Sequence, residues 1–331
     1  MPVISIRLSQ EQLMQLLSQQ DVVINLIGEQ QECLPARSFF QFFNEQMEWL
    51  KINGNLRTAE TYRTGFKKLH TFWGGADLLM TDITPEMTER YQAWLRKQNL
   101  SLNTISFYMR ILRTVFRKAV ERGLVTDCQP FVHVYTGMAK TDKRAICLED
   151  IRCISHFETD NPHLSFARDM FLFSFYTRGM SFVDIANLRH DDLQDGILTY
   201  KRHKTGQMLR IRWEREMQTI VDRYPVPPHS PYLLPIILKQ NGKERNQYRH
   251  RQTEVNKHLK ELARQTNVNC NLTMYVARHS WATLARRTQV PLEVISRGMG
   301  HASERTTAIY LKAAEESQVD EANRQILSLL Q

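Results

Sequence analysis

From Ser38 to about Gly123 the apolar residues recur at three- and four-residue steps, which confines this part of the chain to packed helices. Phe39, Phe40, Phe43, Met47 and Leu50 predict the first helix, and a second is expected from Ala59 to Phe72 with Arg63, Lys67 and Lys68 on its polar side. Thr84-Pro85 reads as a helix start, a capping hydroxyl followed by proline in the first turn. Met87, Tyr91, Trp94 and Leu95 supply that helix's apolar stripe. A longer helix is expected from Asn103 to Arg122, with Ile105, Tyr108, Leu112, Val115, Phe116 and Ala119 on one side. Arg110, Arg113, Arg117 and Lys118 fall largely elsewhere on it, and Gly123 is placed to end it.

The remainder follows the same pattern with one interruption. A stretch from about Asp127 to Lys143 contains Pro130, Gly137 and the start of a basic cluster, Lys140, Lys143 and Arg144, and reads as a linker. Cys147-Leu148-Glu149-Asp150-Ile151 suits a helix N-terminus, where carboxylates oppose the positive end of the helix dipole. Phe171 to Phe175 predicts a buried helix leading into Arg178. Only Gly196 to Trp213 alternates around a turn, which predicts a small sheet. Further helices are expected after Pro225-Val226-Pro227-Pro228, the last from Asp320 to Leu330. The expected fold is mainly α with a small β-sheet, in two domains, for which 331 residues with 42% hydrophobic content suffice. The boundaries drawn are an N-terminal extension at 1–37, a helical domain at 38–127, a linker at 128–146, a second domain at 147–315 and a tail helix at 316–331. The extension opens on Val3-Ile4-Ser5-Ile6-Arg7-Leu8 and a Gln-rich run, and neither pattern assigns it a role.

Charge and composition narrow the partners. A net charge of +9 suits a polyanion. The five cysteines, Cys33, Cys128, Cys147, Cys153 and Cys270, form no Cys-x-x-Cys pair, so neither a zinc site nor a disulfide framework is expected. With no long apolar run and no signal segment, a soluble cytoplasmic protein without membrane contact is expected. The chain has no Gly-rich nucleotide loop and no acidic metal cluster, so no metal and no cofactor are expected.

The chemistry is carried by Arg278-His279, Gly300-His301 and Tyr310, nine residues after His301. A tyrosine hydroxyl attacks a phosphodiester only if its proton is removed and the charge developing on the phosphate is held by fixed cations. Arg278 offers a planar fork for two phosphate oxygens, His301 a proton or hydrogen bond, and Tyr310 the nucleophile.

These residues stand within Tyr275-Val276-Ala277-Arg278-His279-Ser280-Trp281-Ala282-Thr283, Gly298-Met299-Gly300-His301-Ala302-Ser303 and Thr306-Thr307-Ala308-Ile309-Tyr310. That text resembles the C-terminal signature of the tyrosine recombinases, or phage-integrase family, and the resemblance extends over most of the chain from about Ser38. It implies a helical, SAM-like core-binding domain that clamps duplex DNA, followed by a catalytic domain. It also implies a 3′-phosphotyrosyl intermediate at Tyr310, with Arg278 as second arginine and His301 at the His/Trp position. Tyr200-Lys201-Arg202-His203-Lys204-Thr205-Gly206-Gln207 resembles the family's hairpin with its Lys-Thr-Gly turn, which makes Lys204 the candidate catalytic lysine. An ammonium on a short hairpin can protonate the leaving 5′-oxygen. Arg110, Arg113, Arg117, Lys140, Lys143 and Arg144 are the candidate DNA contacts, mostly to phosphates. The implied partners are double-stranded DNA, a homotetramer in the synaptic complex and accessory DNA-bending proteins.

Two positions depart from the family pattern. The usual first-arginine box reads roughly Thr-Gly-Leu-Arg-Ile-Ser-Glu-Leu, and here Arg178-Gly179-Met180-Ser181-Phe182-Val183-Asp184-Ile185 puts Ser181 where the arginine belongs. Arg178 lies three residues earlier, an offset that on a helical turn keeps side chains on neighbouring surface, so Arg178 is expected to take the arginine's place. This Arg-Gly-Met box resembles that of integrases and invertases of Bacteroidetes mobile elements. Tyr275 occupies the first His of the His-x-x-Arg box, and a phenol with an ordinary pKa of about 10 is a poor base. Tyr275 orienting the phosphate, and His279 or a water acting as base, all stay open. The alternatives to a site-specific recombinase are a type IB-like topoisomerase and a non-catalytic DNA-binding accessory protein.

Overall fold

The computed structural model describes residues 37–139 and 144–301 together with Ser303 and Thr307. The expectations for residues 1–36, Lys140, Lys143, Tyr310 and the tail at 316–331 fall outside these. The chain divides into two compact units between Lys140 and Thr141.

The first unit holds four helices, α1 (Phe39–Ile52), α2 (Leu56–Phe72), α3 (Pro85–Lys97) and α4 (Leu102–Glu121), with a short 3-10 turn at Met80–Asp82. Their starts are set by local chemistry. The Ser38, Thr84 and Ser101 hydroxyls accept from the amides of Gln41, Met87 and Thr104, satisfying N–H groups that the first helical turn leaves without a partner. The core is aromatic. Phe43 meets Phe39, Tyr62 and Phe66 edge-to-face with ring centroids 5.5 to 5.9 Å apart, an arrangement favoured by the ring quadrupoles. Helix α4 ends at Arg122, after which Gly123 adopts φ +66° and Leu124 N–H donates to Ala119 O. Much of the expected linker packs onto this unit. Val134 is buried in the same core, and the Asn103 side chain both donates to Ala139 O and accepts from its N–H.

The second unit comprises α5 (Leu148–His156), α6 (Pro162–Tyr176), α7 (Phe182–Asn187), strands β1 (Leu193–Gln194), β2 (Ile197–Lys201) and β3 (Met208–Arg212), then α8 (Arg215–Arg223), α9 (Glu244–Gln265), α10 (Met274–Arg287) and α11 (Leu292–Gly298). The strands form one antiparallel sheet in the order β1-β2-β3, with Leu198 opposite Ile211 and Tyr200 opposite Leu209. Helix α6 is the central element and packs on α9 and α10. Its Phe171, Leu172 and Phe173 are consecutive and all buried, as expected of a helix covered on every side. The one carboxylate inside it, Asp169, is 1% exposed and is satisfied by Arg168 Nε at 2.7 Å, Tyr224 Oη at 2.8 Å and the Arg223 guanidinium. Burial, opposed in part by the Ser165 contact, pushes the Tyr224 phenol up to about 12.

Candidate active site

The site begins where α6 stops. Gly179 N–H donates to Ser174 O, and both Arg178 (φ +61°) and Gly179 (φ +76°) take the left-handed conformation, which reverses the chain. Arg178 and Ser181 therefore do not share a helical turn, contrary to the offset argument. The first lies in the reversal and the second is the N-terminal cap residue of α7. Gly179 is required on two counts, its backbone angle and its surroundings. A Cβ there would sit 2.6 Å from Arg278 Cα.

That close approach brings the Gly179 carbonyl to Arg278, in the second turn of α10. Arg278 is 5% exposed, and its guanidinium donates from Nη1 to Gly179 O at 2.8 Å and from Nη2 to Met299 O at 2.6 Å. Nη2 also lies 2.9 Å from His301 Nε2. One planar cation thus ties the end of α6 to the segment following α11. Because a guanidinium only donates, Nε2 of His301 must accept, so the ring proton sits on Nδ1 and faces Thr307 Oγ1 at 2.7 Å. Desolvation, and then the nearby charges of Arg278, Arg202 and Lys204, depress the His301 pKa to about 4. His301 is neutral near physiological pH.

The hairpin adds two cations. Lys204 is exposed in the β2–β3 turn, while Arg202 is 7% exposed and donates to Gly300 O. Gly300 (φ +62°) makes room for it, since a Cβ there would lie 2.8 Å from Leu209 Cδ1 and 3.2 Å from Arg202 Cδ. Asp184 anchors the turn. Its Oδ1 accepts from His203 N–H at 2.8 Å and its Oδ2 from Ser181 Oγ at 2.6 Å. The serine standing in the arginine's position is thereby a support for a carboxylate that holds the lysine hairpin.

Arg202 and Asp184 were not singled out from sequence. The signal for Arg202 was present in the strand alternation: Leu198 and Tyr200 point inward, and Arg202 continues that face with a charge. The other expected residues are placed as follows. The Arg178 side chain passes beside Gly298 and donates from Nη1 to Arg210 O at 3.4 Å. Tyr275 is 55% exposed in the first turn of α10, and its ring meets the buried His279 edge-to-face at 4.5 Å. In the first unit Arg110 and Arg117 are exposed, and Arg113 is half-buried with Nη1 donating to Thr136 Oγ1 at 2.9 Å. Arg144 is exposed at the start of the second unit.

Chemically, the arrangement is a cradle for an oxyanion. It consists of one buried fork, a second buried guanidinium, a neutral imidazole and a lysine on a turn. Among the described residues no three His, Cys, Asp or Glu side chains are grouped to hold a metal ion, and no helix is long and apolar enough to cross a membrane.

Comparison with known proteins agrees with this geometry. Residues 38–134 match the phage integrase SAM-like domain and residues 154–317 match the phage integrase family. The chain belongs to that family, the tyrosine recombinases, with a SAM-like core-binding domain preceding the catalytic one. It is accordingly a site-specific recombinase, an enzyme that transfers DNA strands. It is 23% identical over 273 residues to the tyrosine recombinase XerD of Listeria innocua serovar 6a, covering 76% of this chain and 88% of that one. To XerC of Alcanivorax borkumensis it is 26% identical over 230 residues, covering 66% and 71%. Its fold is similar to that of a lambda integrase dimer bound to a COC′ core site, with a TM-score of 0.63 at 15% identity over 83% of this chain and 77% of that one. It is likewise similar to XerH bound to a palindromic difH substrate in a post-cleavage complex, with a TM-score of 0.62 at 17% identity over 81% and 79%.

Proposed function

We propose that the chain breaks and rejoins DNA at specific sites through a 3′-phosphotyrosyl bond to Tyr310, in the service of integrating, excising or inverting a mobile element. The observation that carries this reading is the Arg278 clamp. A buried guanidinium reaches Gly179 O, Met299 O and His301 Nε2 at once, nine residues before a tyrosine counted from His301. In the proposed step Tyr310 Oη gives its proton to a water and forms a bond to phosphorus, the bond from phosphorus to the 5′-oxygen breaks, and the proton that this oxygen needs comes from Lys204. Arg278 stabilises the charge on the non-bridging oxygens, strongly because the site is shielded from water. His301 holds the Arg278 fork in position until a phosphate oxygen takes over that N–H. Tyr275, exposed in the first turn of α10 one helical turn before Arg278, is proposed to orient the phosphate through its phenol. The second guanidinium is drawn from Arg178 or Arg202.

Arg110, Arg113, Arg117, Lys140, Lys143 and Arg144 are proposed to grip the duplex backbone on both domains, chiefly through phosphates. The boundaries at 38–127, 128–146 and 147–315 are proposed as the core-binding, connecting and catalytic segments. The Arg-Gly-Met box supports placing the enzyme beside the Bacteroidetes-type integrases and invertases. A cytoplasmic homotetramer on two DNA sites is the proposed working form. Lambda integrase, whose fold is similar, is seen as a dimer on a core site and as a tetramer on a Holliday junction.

The test is a denaturing-gel search for a covalent adduct with DNA flanking the coding sequence on both sides, comparing wild type with Tyr310→Phe. An adduct seen with wild type alone supports the reading and maps the cleavage site. Tight binding with no adduct from either protein would favour the non-catalytic accessory role.

A further inference from the structure

We propose that Arg202, on the hairpin, supplies the second guanidinium to the scissile phosphate in place of the arginine that Ser181 replaces. The proposal rests on the recombinase reading above and concerns which cation completes its site.

Four observations carry it. First, Ser181 cannot serve, since its hydroxyl is committed to Asp184 at 2.6 Å and a hydroxyl brings no charge. Second, Arg202 is a cation at 7% exposure with no ion-pair partner among the described residues, and its one side-chain hydrogen bond there is to a neutral carbonyl, Gly300 O. Keeping a guanidinium in such a place costs stability unless an anion arrives to offset it, and buried cations kept for that purpose mark functional sites. The carboxylate that anchors the same hairpin, Asp184, already accepts from the Ser181 hydroxyl and the His203 amide. Third, Arg202 and Arg278 donate to successive carbonyls, Gly300 O and Met299 O, immediately before His301. Cα atoms across one peptide are about 3.8 Å apart, so the two guanidinia are anchored to neighbouring peptide units at the same turn of chain. Fourth, the sequence makes room for this side chain, because any Cβ at Gly300 would press on Arg202 Cδ and Leu209 Cδ1.

Arg178 is placed differently. It is half-buried beside Gly298, and its Nη1 donates to the backbone carbonyl of Arg210 at 3.4 Å. The charges that weigh on His301 are those of Arg278, Arg202 and Lys204, in that order, and Arg178 is not among them. In the reaction Arg202 changes no covalent bond. Its free N–H groups donate to a non-bridging oxygen as Tyr310 Oη bonds to phosphorus and the 5′-oxygen departs.

The experiment uses the full-length protein and a nicked duplex carrying the cleavage site that the wild-type adduct maps. The scissile linkage is either a phosphate or a methylphosphonate in each stereoisomeric form. Replacing one charged oxygen by methyl removes the need for one cation, so the defect of a variant lacking that cation shrinks. Arg202→Ala is expected to slow adduct formation on the phosphate about 100-fold or more, with duplex binding near that of wild type. On one methylphosphonate isomer the loss should fall below about 10-fold, and Arg202→Lys should lie between Arg202→Ala and wild type. If Arg202→Ala fails to fold, the ratio of methylphosphonate to phosphate rates for Arg202→Lys, compared with wild type, reads the same effect. An Arg202→Ala rate within about threefold of wild type would overturn the assignment. So would an equal loss on every linkage, or selective rescue of Arg178→Ala in place of Arg202→Ala. A wild-type protein that forms no adduct would instead overturn the recombinase reading itself, and Tyr310→Phe should be inactive on all linkages.

Discussion

Arg278 Nη2 and His301 Nε2 are 2.9 Å apart, and the donor-only chemistry of the guanidinium makes the imidazole its acceptor. The Arg278 guanidinium is thus oriented by a neutral histidine, whose own proton is directed at Thr307. Protonating His301 would place two cations in contact and break this bond.

A pH dependence follows. His301 is held at about 4, below its ordinary 6.5, by burial and by the neighbouring cations. Between these values the unfolded chain binds the proton and the folded chain does not. The stability from the neutral, bonded ring is therefore fully present above about pH 6.5 and is lost as the pH falls toward about 4. Urea titrations near pH 7 and near pH 5 should show wild type losing more stability than His301→Gln. Equal losses would show that the ring titrates normally.

The two site glycines should respond differently to alanine. At Gly179 the new Cβ meets the Arg278 backbone at 2.6 Å, which cannot yield, so Gly179→Ala should cost more than about 2 kcal/mol in a denaturation experiment. At Gly300 the neighbours are side-chain ends, Leu209 Cδ1 and Arg202 Cδ, which can shift. Gly300→Ala should cost about 1–2 kcal/mol yet slow adduct formation by about 10-fold or more, because the side chain that moves is Arg202.

Asp169 is a charge centre in the second unit's interior, held by Arg168, Arg223 and Tyr224. Removing it strands Arg168, whose side chain is 11% exposed. Asp169→Ala should destabilise by about 3 kcal/mol or more, and urea unfolding will measure it. A loss below about 1 kcal/mol would show that the surrounding arginines reach water readily.

Tyr91 offers the opposite case. Its ring is 1% exposed in the first core, and its hydroxyl has no hydrogen-bond partner among the described residues. Desolvation raises its pKa strongly. Tyr91→Phe keeps the ring and removes the stranded polar atom, so it should be neutral or stabilising by up to about 1 kcal/mol in thermal unfolding. A clear loss of stability would reveal a partner for that hydroxyl.

Among the described residues, the sequence alone determined most of the helices and the one small sheet. Apolar spacing, the Ser38, Thr84 and Ser101 caps and the stop at Gly123 act over a few residues, so their consequences are readable locally. Arg278, His301 and Lys204 could be singled out because their spacing resembles a family pattern. The tertiary structure alone decided which second arginine stands by His301 and what Ser181 does. Arg202 meets Gly300 across 98 positions of chain, and Arg278 meets Gly179 across 99. Contacts at such separations are set by how α6, α10 and the sheet pack, and local periodicity carries no information about them. For the same reason Arg178, three positions before Ser181, is turned toward the backbone carbonyl of Arg210 in β3. Arg202, twenty-one positions beyond Ser181, lies buried beside Gly300, whose carbonyl is next to the Met299 carbonyl held by Arg278.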